Sequence, residues 1–156
     1  MRQGLQEFWP IMNPDYLKVL FGPGGCLTTA LTEGEELVLK VAGECMEPAV
    51  GHQASVRLER PRFFVPGDVV AFYCPCLRRL LVHRFLGYVC RQGVWKLMTM
   101  PDRGARPDPL VDISAVLGRV VAQGSEAYRI SSTERLEAIR RYSLWCAYYI
   151  CRRFIP

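Results

Sequence analysis

A cysteine occupies a turn-forming setting at Gly43-Glu44-Cys45-Met46-Glu47-Pro48. It follows Leu37-Val38-Leu39-Lys40-Val41, an apolar run of β type. A small residue ahead of the cysteine lets the backbone turn sharply, and Pro48 stiffens the exit. Such a turn can expose one side chain and aim neighbouring N–H groups at the same point. An acyl-transfer nucleophile needs that arrangement. A lone cysteine is more often a small buried hydrophobe, so the turn decides nothing alone.

A thiol nucleophile also needs a base, and the chain has only two histidines. His83 lies inside Leu80-Leu81-Val82-His83-Arg84-Phe85, an apolar strand pattern where an imidazole is costly unless partnered. His52, in Val50-Gly51-His52-Gln53, reads as a solvated loop residue. Asp102 and Asp108 share a proline-rich loop. As a paired-carboxylate hydrolytic site they lack a third ligand and an apolar wall. Cys74-Pro75-Cys76 has one residue between its thiols, closer than the usual zinc spacing, and no second pair follows. Cys90 would supply a third sulfur only if a hairpin folded it back. The motif therefore reads as a hairpin tip with reduced thiols, and neither a metal nor an organic cofactor is expected.

Several short strands must position these groups. Beyond Leu37–Val41, Ala54–Leu58 alternates weakly, and Pro66-Gly67-Asp68 is a turn that launches Val69–Tyr73. Leu80–Val89 is apolar apart from His83 and Arg84, and Arg91-Gln92-Gly93 turns it into a returning strand at Val94–Met98. A polar loop covers Pro101–Pro109, and Ala115–Ala122 is a further strand. The period then changes. Ser131-Ser132-Thr133-Glu134 offers caps for a helix from about Thr133 to Arg152, with Leu136, Ile139, Tyr142, Trp145 or Cys146, Tyr149 and Ile150 near one face. Cys146 and Cys151 read as packing residues on it. Residues 1–36 form an N-terminal arm with a short helix starting at Asn13-Pro14-Asp15 and Cys26 in a glycine loop. Residues 37–130 form the β domain and 131–156 the C-terminal helix.

Composition narrows the classes. Half the residues are hydrophobic and 22% are charged, which excludes a disordered solvating chain. The net charge of +5 permits contact with an anionic surface without requiring it. Seven cysteines cannot all pair within the chain, and their spacing is irregular, so a reducing compartment is expected. No apolar run is long enough to span a bilayer, and Glu7, Pro10, Pro14 and Asp15 interrupt any signal-peptide core. The C-terminal helix either packs on the β domain or, with arginines flanking its aromatic half, docks on a membrane surface or a partner.

Five short motifs, taken in order, resemble the signal peptidase I and LexA-like superfamily. They are Gly43-Glu44-Cys45-Met46-Glu47-Pro48, Pro66-Gly67-Asp68-Val69-Val70, Val82-His83-Arg84, Thr99-Met100-Pro101-Asp102 followed by Asp108-Pro109, and Gly118-Arg119-Val120-Val121. The His-Arg pair is similar to the branch found in the endoplasmic reticulum, in archaea and in some Gram-positive bacteria. The likeness runs from about Leu37 to Val121. The chain departs from the family in carrying Cys where the nucleophile is Ser, and in having Met-Pro where a Lys-Gly precedes the first aspartate.

The resemblance implies a mainly β, coiled-sheet peptidase core with a short N-terminal arm and a C-terminal amphipathic helix. It implies that Cys45 is the nucleophile, His83 the general base and Asp108 the carboxylate that orients it, with Asp102 as a structural or alternative partner. The Cys45 N–H would contribute to an oxyanion hole, and Met46 and Pro48 would shape a groove for an extended substrate with a small residue before the cut. The implied substrate is a peptide or protein precursor, such as the leader of a modified peptide. The alternative is an inactive peptide-binding module, a chaperone or sensor, on the same fold. LexA-type repressors add a DNA-binding domain and use a lysine base. Neither is read here, so no nucleic-acid partner is expected. The expected setting is cytoplasmic, with the C-terminal helix able to hold the protein peripherally at a membrane.

Overall fold

The computed structural model describes residues 37–41, 43–77 and 79–154. The arm expected over residues 1–36, with its helix and Cys26, lies outside the described residues. The strands are β1 (Leu37–Lys40), β2 (Ser55–Glu59), β3 (Val69–Cys74), β4 (Arg79–Arg91), β5 (Val94–Met100), β6 (Val111–Asp112), β7 (Val116–Gln123) and β8 (Glu126–Ala127). A 3-10 turn, Ile113–Ala115, precedes β7, and α1 (Ser132–Phe154) closes the described chain. The architecture is mainly β. One eight-stranded sheet runs in the order β1-β2-β7-β3-β4-β5-β6, with β8 on β7. Every pairing is antiparallel.

The continuous apolar run in β3 has a packing reason: both faces of the strand are covered. Val69 and Ala71 enter a core with Met46, Val56, Leu58, Leu80 and Leu117. Val70, Phe72 and Cys74 enter a second core with Phe64, Phe85, Leu97 and Val116. Each fully buried large side chain here contributes about 1.5–3 kcal/mol of transfer free energy. The register shifts between Phe85 and Gly87 where β4 meets β5, which re-aims the strand. At that shift, Leu86 enters a third core with Met98, Met100 and Ala138 of α1. The Gln92-Gly93 turn between β4 and β5 has positive φ at both residues, 53° and 77°, as a two-residue hairpin demands.

Two strands were not anticipated. β6 and β8 are two residues each, too short to give a periodic signal. The helix is where expected, but its packed face differs. Ala138, Tyr142, Trp145 and Cys146 meet the sheet, whereas Leu136, Ile139, Tyr149, Ile150 and Cys151 are exposed. The sheet offers its helix seat at Gly87, where a Cβ would come within 2.7 Å of the Tyr142 ring. That contact selects the Tyr142 face over the one holding Leu136 and Ile139. No helix among the described residues is long and apolar enough to cross a membrane.

Candidate active site

The Cys45 turn is the connection between β1 and β2. Its base is closed by Val41 N–H to Ala54 O at 2.8 Å and Gln53 N–H to Val41 O at 2.9 Å. Gly43 sits at φ +119°, a conformation open to glycine and strained for any other residue. The Gly43 N–H is taken up by Nδ1 of His52 at 3.1 Å. His52 is exposed, as the sequence suggested, yet it holds the entry to this turn. Val50 N–H donates to Met46 O at 2.9 Å, and the Glu47–Pro48 peptide is cis. Met46 is fully buried and pins the turn to the first core. It therefore does not line an open groove as expected. Pro48 is exposed and borders a cavity of about 420 Å³, together with Ala49, Arg84, Asp102, Glu134 and Arg141.

His83 is 6% exposed in the middle of β4, so its polar nitrogens must be satisfied. The ladder explains how. β4 and β5 pair Arg84 with Met100 and Phe85 with Thr99, so the position facing His83 would fall to Pro101, which leaves the sheet. The loop that starts there returns at Asp108, whose N–H donates to Thr99 O at 2.8 Å. Asp108 Oδ2 then lies 2.8 Å from His83 Nδ1, and Thr99 Oγ1 donates to the same oxygen at 2.7 Å. An ionised Asp108 fixes the imidazole proton on Nδ1 and leaves Nε2 as the basic nitrogen. The ring packs edge-on against Phe72, with centroids 5.9 Å apart.

Arg84 points to the opposite face of β4, as strand alternation requires. Its guanidinium forks onto Asp102, with Nε to Oδ1 and Nη2 to Oδ2 both at 2.6 Å. Nη1 donates to Gly67 O at 2.9 Å and Nη2 to Glu134 Oε1 at 3.1 Å. Burial alone would lower the Arg84 pKa. The hydrogen bonds and charge of Asp102 outweigh it and raise the pKa further. Asp102 is thus committed to Arg84, and Asp108 is the aspartate on His83. The expectation that Asp102 could serve as an alternative partner of His83 is corrected on this geometry.

Arg103 joins the Cys45 turn to the loop that follows β5. Its N–H donates to the Cys45 carbonyl at 3.0 Å, and its guanidinium reaches Glu47 Oε2 at 3.0 Å and Glu44 Oε2 at 3.5 Å. Cys45 is half-buried and packs against the core that holds Met46 and Leu80. Arg103 and Glu134 were not singled out as site residues, because an exposed arginine and a helix-cap glutamate carry no local signal of such a role. Thr99 stood inside a quoted motif, and its contact with Asp108 gives it a reason to be there.

The other thiols also resolve. Cys74 and Cys76 lie together at the β3–β4 tip, with Sγ atoms 2.9 Å apart. Cys90 pairs with Trp95 beside the β4–β5 turn, at the other end of the long strand β4, so it is not a third sulfur for that pair. No protein-family model matches the chain, and a search of curated proteins finds no match either.

Proposed function

We propose that the chain is a signal-peptidase-like endopeptidase that uses Cys45 as nucleophile, His83 as general base and Asp108 as the orienting carboxylate. The observation that carries this reading is the His83–Asp108 pair, braced by Thr99, with the imidazole buried in the middle of β4. Here a ten-residue excursion from Thr99 to Asp108 supplies a carboxylate and a hydroxyl on the same oxygen. The order of the five motifs and the mainly β sheet support a core of the signal peptidase and LexA-like kind.

In the proposed reaction His83 Nε2 takes the proton from Cys45 Sγ, and the thiolate attacks the carbonyl carbon of the peptide bond. The oxyanion that forms accepts a hydrogen bond from the Cys45 N–H. The imidazolium, stabilised by Asp108, gives its proton to the departing amine, and a thioester remains. A water molecule then loses a proton to Nε2 and attacks the thioester carbon. The carboxylic acid product leaves, and the proton returns to Cys45 Sγ. The substrate is a peptide or protein precursor bound as an extended strand, with a small residue before the cut.

The test is cleavage of a peptide library carrying Ala, Gly or Ser at varied positions, read by mass spectrometry. The reading expects cuts after small residues that vanish in both Cys45→Ala and His83→Ala. Cuts that persist in Cys45→Ala overturn it. Peptides that bind but stay whole in the parent protein replace it with the peptide-binding module.

A further inference from the structure

The Cys74–Cys76 pair is unused by the proposed peptidase chemistry. Cys74 ends β3, is 5% exposed, and packs in the second core beside Phe72. Cys76 is exposed on the turn that follows, next to the exposed Leu77. Their sulfurs lie 2.9 Å apart, closer than two unbonded sulfurs normally settle, and a disulfide would need about 2.05 Å. Pro75 between them restricts the turn that holds them together. The pair sits at the tip of the β3–β4 hairpin, about 13 Å along β3 from the Val70 position that faces His83, at about 3.3 Å per residue. A dithiol with one buried and one accessible sulfur has the layout of a thiol–disulfide exchange site, in which the accessible thiol attacks and the buried one resolves.

We propose that Cys74 and Cys76 form a reversible redox couple that exchanges with small-molecule disulfides. The Cys76 thiolate attacks a disulfide RSSR, forming a Cys76–SR mixed disulfide and releasing one RSH after protonation. Cys74 then loses its proton and attacks the Cys76 sulfur, expelling the second RSH. The two cysteines give up two electrons and two protons in total, and RSSR is reduced to two RSH. A disulfide closed over a single intervening residue is strained, so it is readily reduced again. The hydrogen bond to Cys74 raises the Cys76 pKa, so the exchange quickens as pH rises into the alkaline range.

The test equilibrates the full chain in a series of reduced and oxidised glutathione buffers, followed by alkylation, trypsin digestion and mass spectrometry. Residues 63–78 form one tryptic peptide carrying both cysteines. As the buffer becomes oxidising, the doubly alkylated peptide is expected to give way to an unalkylated one about 2 Da lighter than the dithiol. In Cys74→Ser, which lacks the resolving thiol, a lasting glutathione adduct on Cys76 is expected instead. Double alkylation across the whole series overturns the proposal. So does a stable glutathione adduct on Cys76 in the parent chain, or a cross-link from either cysteine to Cys45 or Cys90.

Discussion

Glu134 closes the start of α1 with one carboxylate oxygen and holds Arg84 with the other. Oε2 accepts the Ser131 N–H at 2.8 Å, in a capping arrangement that the Ser131 hydroxyl completes, while Oε1 meets Arg84 Nη2 at 3.1 Å. Next to it, Arg135 donates to Pro66 O at 2.9 Å and approaches the buried Asp68 at 3.3 Å. The first turn of the helix is therefore tied to β4 and to the Pro66-Gly67-Asp68 turn. Through Asp102 and Arg103, that tie continues to the loop carrying Cys45.

Glu134 makes that tie pH-dependent. Burial pushes its pKa up, but the Ser131 hydrogen bonds and the Arg84 charge outweigh it, so its pKa lies below the usual glutamate value. A depressed carboxylate stabilises the folded state above its unfolded pKa, near 4.3, and that stability is lost as pH falls through the folded value. Glu134→Gln keeps a capping side chain but loses the charge that faces Arg84, and is expected to be about 1 kcal/mol less stable at neutral pH. The gap closes as the parent is acidified below about pH 4.3. Thermal melts of both proteins at neutral and acid pH check this, and an unchanged gap at low pH would assign the loss to something other than the charge.

Asp102→Ala strands a guanidinium that is only 4% exposed. Breaking a buried pair from one side costs about 3–5 kcal/mol, and Glu134 remains to soften the loss. The expected outcome is a loss of about 3 kcal/mol in a urea titration. Replacing both partners, as Arg84→Met with Asp102→Leu, should cost less than Asp102→Ala alone.

Much of this was legible in the chain. The apolar runs of β3, β4 and β7, the Gln92-Gly93 hairpin and the start of α1 follow from periodicity and turn chemistry. The His83–Asp108 contact was expected only from family resemblance, because a separation of that size carries no local pattern. The packed face of α1 was misread for a physical reason. The helix has apolar residues on more than one side, and which side docks depends on the sheet it meets, where Gly87 leaves room for the Tyr142 ring. Nor could the division of labour between Asp102 and Asp108 be read, since it depends on Pro101 leaving the ladder opposite His83.

Gly118 shows how close packing constrains a motif residue. A Cβ there would lie 2.6 Å from Glu59 O, a backbone atom of the neighbouring strand that cannot swing away. Gly118→Ala is expected to destabilise by about 2–3 kcal/mol through strand displacement, measured by chemical denaturation. A loss under about 0.5 kcal/mol would show that β2 and β7 separate easily.

Asp108 and Thr99 should separate by size of effect on cleavage. Asp108→Asn is expected to lower kcat by about 10³–10⁴-fold, because the imidazolium loses its counter-charge and the tautomer is no longer fixed. Thr99→Val removes one hydrogen bond to the carboxylate and should lower kcat about tenfold, the equivalent of roughly 1.4 kcal/mol. Equal effects of the two substitutions would contradict the assigned roles.

The most direct measurement is the alkylation rate of Cys45 against pH, in the parent protein and in His83→Ala. Residues 41–57 form a tryptic peptide with Cys45 as its single cysteine, so mass spectrometry reads that site alone. An ordinary thiol titrates near pH ~8.5. Rapid alkylation of Cys45 well below that pH is expected in the parent, with loss of the low-pH reactivity in His83→Ala. A Cys45 profile centred near pH ~8.5 and identical in both proteins would contradict the thiolate–imidazolium pair, and with it the proposed peptidase.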